Sequence, residues 1–261
     1  MLRSLFTAAT GMEAQQLKMD TIANNLANAS TPGFKRVRAD FEDLLSETMK
    51  MAQVPDPRGG TFPTPMQVGL GVRTGSTSRS LTPGEQTITG RPLDVSINGA
   101  GFLRVQLPSG DFAFTRAGNL MVDAQGRLTT HNGEILEPAI TLPHAWSDLT
   151  IKPDGVVSVK VPGRSDQQEV GQMELSNFSN PAGMAAIGGN LLAANDACGE
   201  EIRVKPGDQG TGAIAQNMLE GSNVKAVEEM IDMISTQRAY EMNSKTIQTA
   251  DQMLQRLTSL R

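Results

Sequence analysis

The groups in this 261-residue chain best suited to nucleophilic or metal chemistry are one thiol, Cys198, and two imidazoles, His131 and His144. Cys198 stands in AspAlaCysGly (196–199) and could act as a nucleophile, but a lone cysteine is far more often inert. It cannot form an intrachain disulfide, and two histidines are too few for a Cys/His metal site. The carboxylates are dispersed, so an acid/base pair would need a chance tertiary meeting. GlyLeuGlyValArgThrGly (69–75) is only loosely like a dinucleotide fingerprint, because the spacing is wrong and no helical pattern follows. AsnGlyAlaGlyPhe (98–102) reads as a tight turn in which glycine supplies positive φ. Phosphate-binding GlyLysSer or GlyLysThr, HisGluXaaXaaHis and a glycine-flanked nucleophilic serine do not occur. The expectation is a protein that is not an enzyme and takes no cofactor or metal.

The remaining chemistry is non-covalent, and it gathers at the chain ends. Asn24, Asn25 and Asn28 fall within one helical turn. They form either a solvated helix end or a register device, in which amides that must find partners penalise wrong alignments. Gln15, Gln16, Gln237, Asn243, Gln248, Gln252 and Gln255 enrich both ends in uncharged polar groups. Met12, Met19, Met230 and Met253 add side chains that pack adaptably.

Long helices must position these groups. Leu2, Leu5, Ala9, Met12, Gln16, Met19, Ala23 and Leu26 alternate by three and four residues, which predicts a helix over about 3–28 ending before Pro32 and Gly33. At the other end Ser222 or Asn223 can cap a helix beginning at Val224. One apolar stripe there comprises Val224, Val227, Met230, Ile231 and Ile234; a second comprises Ile247, Ala250, Met253, Leu254, Leu257 and Leu260. Helices at opposite ends can pair, making the middle an insertion. Of the 26 glycines, 23 lie between residues 46 and 216, so both ends are nearly free of breakers.

The middle reads as β structure. Short strand candidates at 100–107, 112–115, 119–123, 127–130, 149–152, 156–161 and 169–175 alternate with turn strings such as LysProAspGly (152–155). Residues 50–67 and 178–213 are weakly patterned and read as loops. The fold class is therefore α+β: a discontinuous coiled-coil domain (1–35 plus 215–261) carrying an inserted mainly-β domain (81–214), a small barrel or sandwich of hairpins. Residues 36–80 form an extended, hairpin-like linker with a proline-rich insertion at 46–66, where Pro55, Pro57, Pro63 and Pro65 preclude a continuous helix. Phe62 is an anchor candidate within it.

With 23 Lys+Arg against 28 Asp+Glu, the net charge of -5 disfavours a nucleic-acid partner. Thr7, Thr10 and Glu13 interrupt any apolar run of a secretion signal, and nowhere does such a run reach the ~18 to 20 residues of a membrane span, so no direct membrane insertion is expected.

IleAlaAsnAsnLeuAlaAsnAlaSerThrProGlyPheLysArg (22–36) resembles the N-terminal signature of the bacterial flagellar rod and hook family, and residues 237–255 resemble its C-terminal signature. The likeness continues through 41–45, 101–110, 114–119, 136–143 and 154–159. It implies a structural subunit that stacks helically on copies of itself into a hollow drive shaft, with the terminal helices in the inner layers and the β domain outward. It also implies other rod and hook subunits, surrounding basal-body ring proteins and the type III export apparatus as partners. The location implied is the basal body from periplasm to outer membrane, reached without a cleaved signal peptide. The expected self-assembly surface takes Leu5, Met12, Met19, Asn24, Asn25, Leu26, Asn28 and Phe34 from the first signature region. From the second it takes Val227, Ile231, Ile234, Tyr240, Ile247, Met253, Leu254 and Leu257. The segment holding Pro55, Pro57, Phe62, Pro63 and Pro65 is expected to stiffen the assembly. A proximal rod or hook subunit is the alternative within the family; a coiled-coil-stalked β-domain ligand-binding protein is the alternative outside it.

Overall fold

A computed structural model describes residues 2–50, 64–143, 145–162, 167–208 and 210–259. The chain divides into two compact units: unit 1 holds residues 1–26, 37–78 and 225–261, and unit 2 holds residues 27–36 and 79–224.

Among the described residues unit 1 contains two helices, α1 (Leu2–Ala27) and α2 (Ala226–Ser259), and two two-stranded ribbons. The ribbon strands are β1 (Val37–Asp43), β2 (Glu47–Lys50), β3 (Met66–Val68) and β4 (Val72–Arg79), with β1 beside β4 and β2 beside β3. α2 starts two residues later than its sequence suggests. Asn223 does not cap it: the Asn223 side chain instead accepts from the Arg36 N–H and donates to the Ser80 and Thr82 carbonyls, all within unit 2. Residues 50, 66 and 67, expected in a loop, lie in strands, because Thr48 and Gln67 pair across the β2/β3 ladder.

Unit 2 is a set of short strands. They are β5 (Gln86–Ile88), β6 (Val95–Asn98), β7 (Phe102–Gln106), β8 (Phe112–Thr115), β9 (Met121–Val122), β10 (Leu128–Thr129), β11 (Ile135–Glu137), β12 (Asp148–Ile151), β13 (Val156–Lys160), β14 (Gln167–Gln172), β15 (Leu175–Asn177), β16 (Ala185–Gly188), β17 (Leu191–Ala193), β18 (Ile202–Val204), β19 (Ala213–Gln216) and β20 (Met218–Glu220). A nine-stranded sheet runs β16-β17-β8-β7-β11-β10-β9, with β15 bridging β7 and β18. Beside it lie a three-stranded sheet, β12-β13-β14, and two pairs, β6/β19 and β5/β20. Hence residues 178–213 are not plain loops. Four strands lie wholly or partly in them, each only three or four residues long, too short for alternation to mark them.

The main core joins these sheets through side chains such as Ile97, Leu103, Leu120, Leu136, Val157 and Ile214. A second cluster packs Phe102, Phe114 and Phe178 with Met184, Leu192 and Cys198, Phe178 meeting Phe114 edge to face at 4.8 Å between centroids. Gly118 is obligatory: a Cβ there would lie 1.8 Å from the Val95 carbonyl oxygen. Gly33, at φ +71°, lets its segment approach the Ala117 backbone nitrogen, which an added Cβ would meet at 2.6 Å.

Candidate self-assembly interface

Two contacts set the pairing of α1 and α2 in unit 1. Asn25 Nδ2 donates to Glu229 Oε2 at 3.2 Å, and Gly11 lies so close to Asn243 that a Cβ would sit 2.8 Å from its Nδ2. Stepping back from 25 to 11 on one helix advances from 229 to 243 on the other, so the helices run antiparallel.

The buried positions of α1 are Ala8, Ala14, Ile22 and Asn25, with Gly11 and Lys18 half-buried between them. This face is rotated by about one residue, roughly 100°, from the Leu5–Ala9–Met12–Gln16–Met19–Ala23–Leu26 seam read from sequence. Leu5, Met12, Met19 and Leu26 are half-buried, while Ala9, Gln16 and Ala23 are exposed. The correction has a physical reason. Small residues let the helices approach closely, so the packed face runs through Ala and Gly rather than through the largest side chains.

On α2, Glu229, Thr236 and Ala250 are buried, and Asn243, Ile247 and Leu254 are half-buried along the same face. At 100° per residue, Val227, Met230, Ile231 and Ile234 project from the opposite side of the helix. They are 65%, 46%, 61% and 53% exposed. Among the described residues of unit 1, the stripe predicted as a packing surface is thus an exposed apolar face. Tyr240, at the margin of the inner face, and Met253 are exposed, as is Phe6.

The three asparagines part company. Asn24 is exposed. Asn25 is buried and its amide is used inside the chain, accepting from the Val37 N–H at 2.9 Å and donating to the Val37 carbonyl at 2.8 Å as well as to Glu229. Within unit 1 it therefore pins the start of β1 to both helices. Asn28, in unit 2, accepts from the Thr31 hydroxyl at 3.2 Å, and Phe34 is half-buried there. The Leu257 side chain, and Pro55, Pro57, Phe62 and Pro63, lie outside the described residues; Pro65 is exposed just ahead of β3.

Sequence reasoning missed a buried charge cluster in unit 2. Lys35 contacts Glu220 Oε1, and Arg116 Nη1 lies 3.2 Å from Glu220 Oε2. Burial pulls the Lys35 ammonium below its ordinary pKa; the bond and charge of Glu220 oppose that shift, and Arg116 adds to it. In unit 1 the Ser78 hydroxyl, donating at 2.7 Å, and Arg38 hold the Asp40 carboxyl below the usual carboxylate range. Cys198 is fully buried, with its thiol donating to the Asn195 carbonyl at 2.9 Å. Among the described residues no group of three or more His, Cys, Asp or Glu side chains could hold a metal ion, and no helix is long and apolar enough to cross a membrane.

Three family descriptions match the chain: flagella basal body rod protein over residues 5–35, flagellar hook protein FlgE/F/G D1 domain over 96–159, and flagellar basal body rod FlgEFG protein C-terminal over 215–260. The chain is 47% identical to the flagellar basal-body rod protein FlgG of Caulobacter vibrioides, covering 100% of both chains. It is 38% identical to FlgG of Bacillus subtilis, again covering 100% of both. To the flagellar basal-body rod protein FlgF of Salmonella typhimurium it is 32% identical over 94% of this chain and 92% of that one. Identity of this extent, over helices, ribbons and sheets alike, places the chain in the flagellar basal-body rod protein family, whose members are structural subunits and not enzymes.

Proposed function

We propose that this chain is the subunit of the distal flagellar rod, polymerising helically into a rigid hollow drive shaft that transmits torque and encloses the export channel. The observation that carries the reading is the stripe Val227, Met230, Ile231 and Ile234, an exposed apolar face turned away from α1. An exposed contiguous apolar face in a soluble subunit marks an interaction surface. The higher identity to proteins named FlgG than to the one named FlgF favours this rod subunit over another axial protein.

In this reading residues 1–35 and 215–261 form the assembly domain, 36–80 a linking segment and 81–214 the outer domain. The partners are further copies, adjoining rod and hook subunits, encircling ring proteins and the type III export apparatus. The subunit works between periplasm and outer membrane. Residues 46–66 stiffen the shaft.

Sedimentation of purified protein tests the proposal. Ile231→Asp should abolish self-association while circular dichroism stays that of the unaltered chain, because a charge would be carried into an apolar contact. Unimpaired polymers from Ile231→Asp would remove the stripe from the interface.

A further inference from the structure

Lys35, Arg116 and Glu220 meet where the chain enters and leaves unit 2. They are 4%, 5% and 1% exposed. Besides contacting Glu220 Oε1, the Lys35 ammonium donates to the Thr82 carbonyl at 2.8 Å. Arg116 Nη2 donates to the Gly99 carbonyl at 2.7 Å, and the Gly84 N–H donates to Glu220 Oε1 at 3.0 Å. One buried carboxylate therefore serves two buried cations.

What this cluster holds is residues 31–36, which a set of hydrogen bonds ties to the rest of unit 2. The Gly33 N–H donates to the Glu220 backbone carbonyl at 2.8 Å, the Arg36 N–H to Asn223 Oδ1 at 2.7 Å, and Asn190 Nδ2 to the Pro32 carbonyl at 3.0 Å. The Arg36 carbonyl accepts from the Ser80 N–H at 2.9 Å. Neither apolar cluster of unit 2 contains a residue of this segment. A strap without a share in the apolar core lacks the largest stabilising contribution, and its hydrogen bonds replace bonds to water at small net gain.

We infer that Lys35, Arg116 and Glu220 form a charge latch that decides whether residues 31–36 stay seated on unit 2, separately from the stability of its β core. Without the Glu220 charge, two buried cations face each other with no counter-ion, an arrangement far costlier than the intact cluster. Relief comes from releasing one of them. Arg116 directly follows β8, whose Phe114 and Thr115 are buried in the sheet, so it stays. Lys35 sits on the strap, so it leaves.

Glu220→Gln removes the charge and keeps the shape. Trypsin cuts after Lys35 and Arg36, and these two cleavages should accelerate at least tenfold while amide exchange in β7 and β13 stays as slow as in the unaltered protein. Lys35→Met/Arg116→Leu/Glu220→Leu, which removes all three charges together, should restore slow exchange at the Gly33 and Arg36 amides. If Glu220→Gln does not fold, the unaltered protein still decides the matter. In native-state hydrogen exchange with rising denaturant, the Gly33 and Arg36 amides should open before those of β7. Unchanged cleavage in Glu220→Gln, or strap and core losing protection together in either experiment, overturns the latch.

Discussion

Replacing Asn25 by Ala should destabilise unit 1 by about 3 kcal/mol, a shift of more than a hundredfold in its opening equilibrium. The figure follows from the three bonds of the side chain. It accepts from the Val37 N–H, donates to the Val37 carbonyl and donates to Glu229 Oε2, all at a position closed to water. Truncation leaves each partner without this bond, at about 1 kcal/mol apiece for a buried group. Asn25→Asp should cost more still, because it keeps only the bond from the Val37 N–H and sets a second carboxylate against Glu229. The assay is denaturant unfolding followed by the helical circular dichroism signal, with hydrogen exchange at Val37 as the local probe. Asn24→Ala, one residue away and exposed, should change stability by less than about 0.5 kcal/mol. Equal losses from Asn24→Ala and Asn25→Ala would refute the reasoning, since they would show that amide content, rather than the burial of Asn25, matters.

Gly118→Ala should prevent unit 2 from adopting its native sheet, because the new methyl would meet the Val95 carbonyl oxygen at 1.8 Å; loss of dispersed amide resonances in that unit would report it. Cys198→Ser should leave self-association unchanged and cost unit 2 about 1 kcal/mol in denaturant unfolding, since a hydroxyl can still donate to Asn195 while sitting in an apolar cluster. Ser78→Ala should raise the Asp40 pKa towards the ordinary carboxylate value in an NMR titration, because the bond that lowers it is gone. The sign for stability follows: the Asp40 contribution is present above the unfolded pKa of about 3.9 and is lost as pH falls through the lowered folded value. Deleting residues 50–65 should leave filaments able to form but with shorter persistence length by electron microscopy; straight filaments of unchanged stiffness would reject a stiffening role.

Both helices were legible because breakers are scarce at the chain ends and apolar residues recur every three or four positions; α1 ends one residue from its expected limit. The packed face was less legible. Ala8, Gly11 and Ala14 contribute closeness rather than bulk, so a reading that follows large side chains selects the neighbouring face. Strands β7, β8, β12 and β13 stood out from alternation and turn residues. Strands β16 to β18 did not: β17 and β18 take their order from distant partners, β8 and β15, and β16 pairs only with β17 and is built from Ala, Ile and Gly without alternation. Glu220 and Lys35 are 185 residues apart, and Glu220 and Arg116 are 104 apart, so no spacing could announce their meeting.

The first half of α2 reverses the usual arrangement of an amphipathic helix. There the inner face carries Glu229, Thr236 and Asn243, ahead of the apolar Ile247, Ala250 and Leu254, whereas the outward stripe at 227–234 is aliphatic and thioether. Covering four such side chains, each about half exposed, would contribute about 5 kcal/mol per subunit. That sum is comparable to the freedom lost when two proteins associate, so one contact of this kind would hold a pair of subunits only weakly. A subunit in a helical array is different, because several neighbours share the cost of ordering it and each added contact then acts almost undiluted. A modest stripe thus suits a subunit that pairs weakly in isolation and becomes fixed once several neighbours surround it.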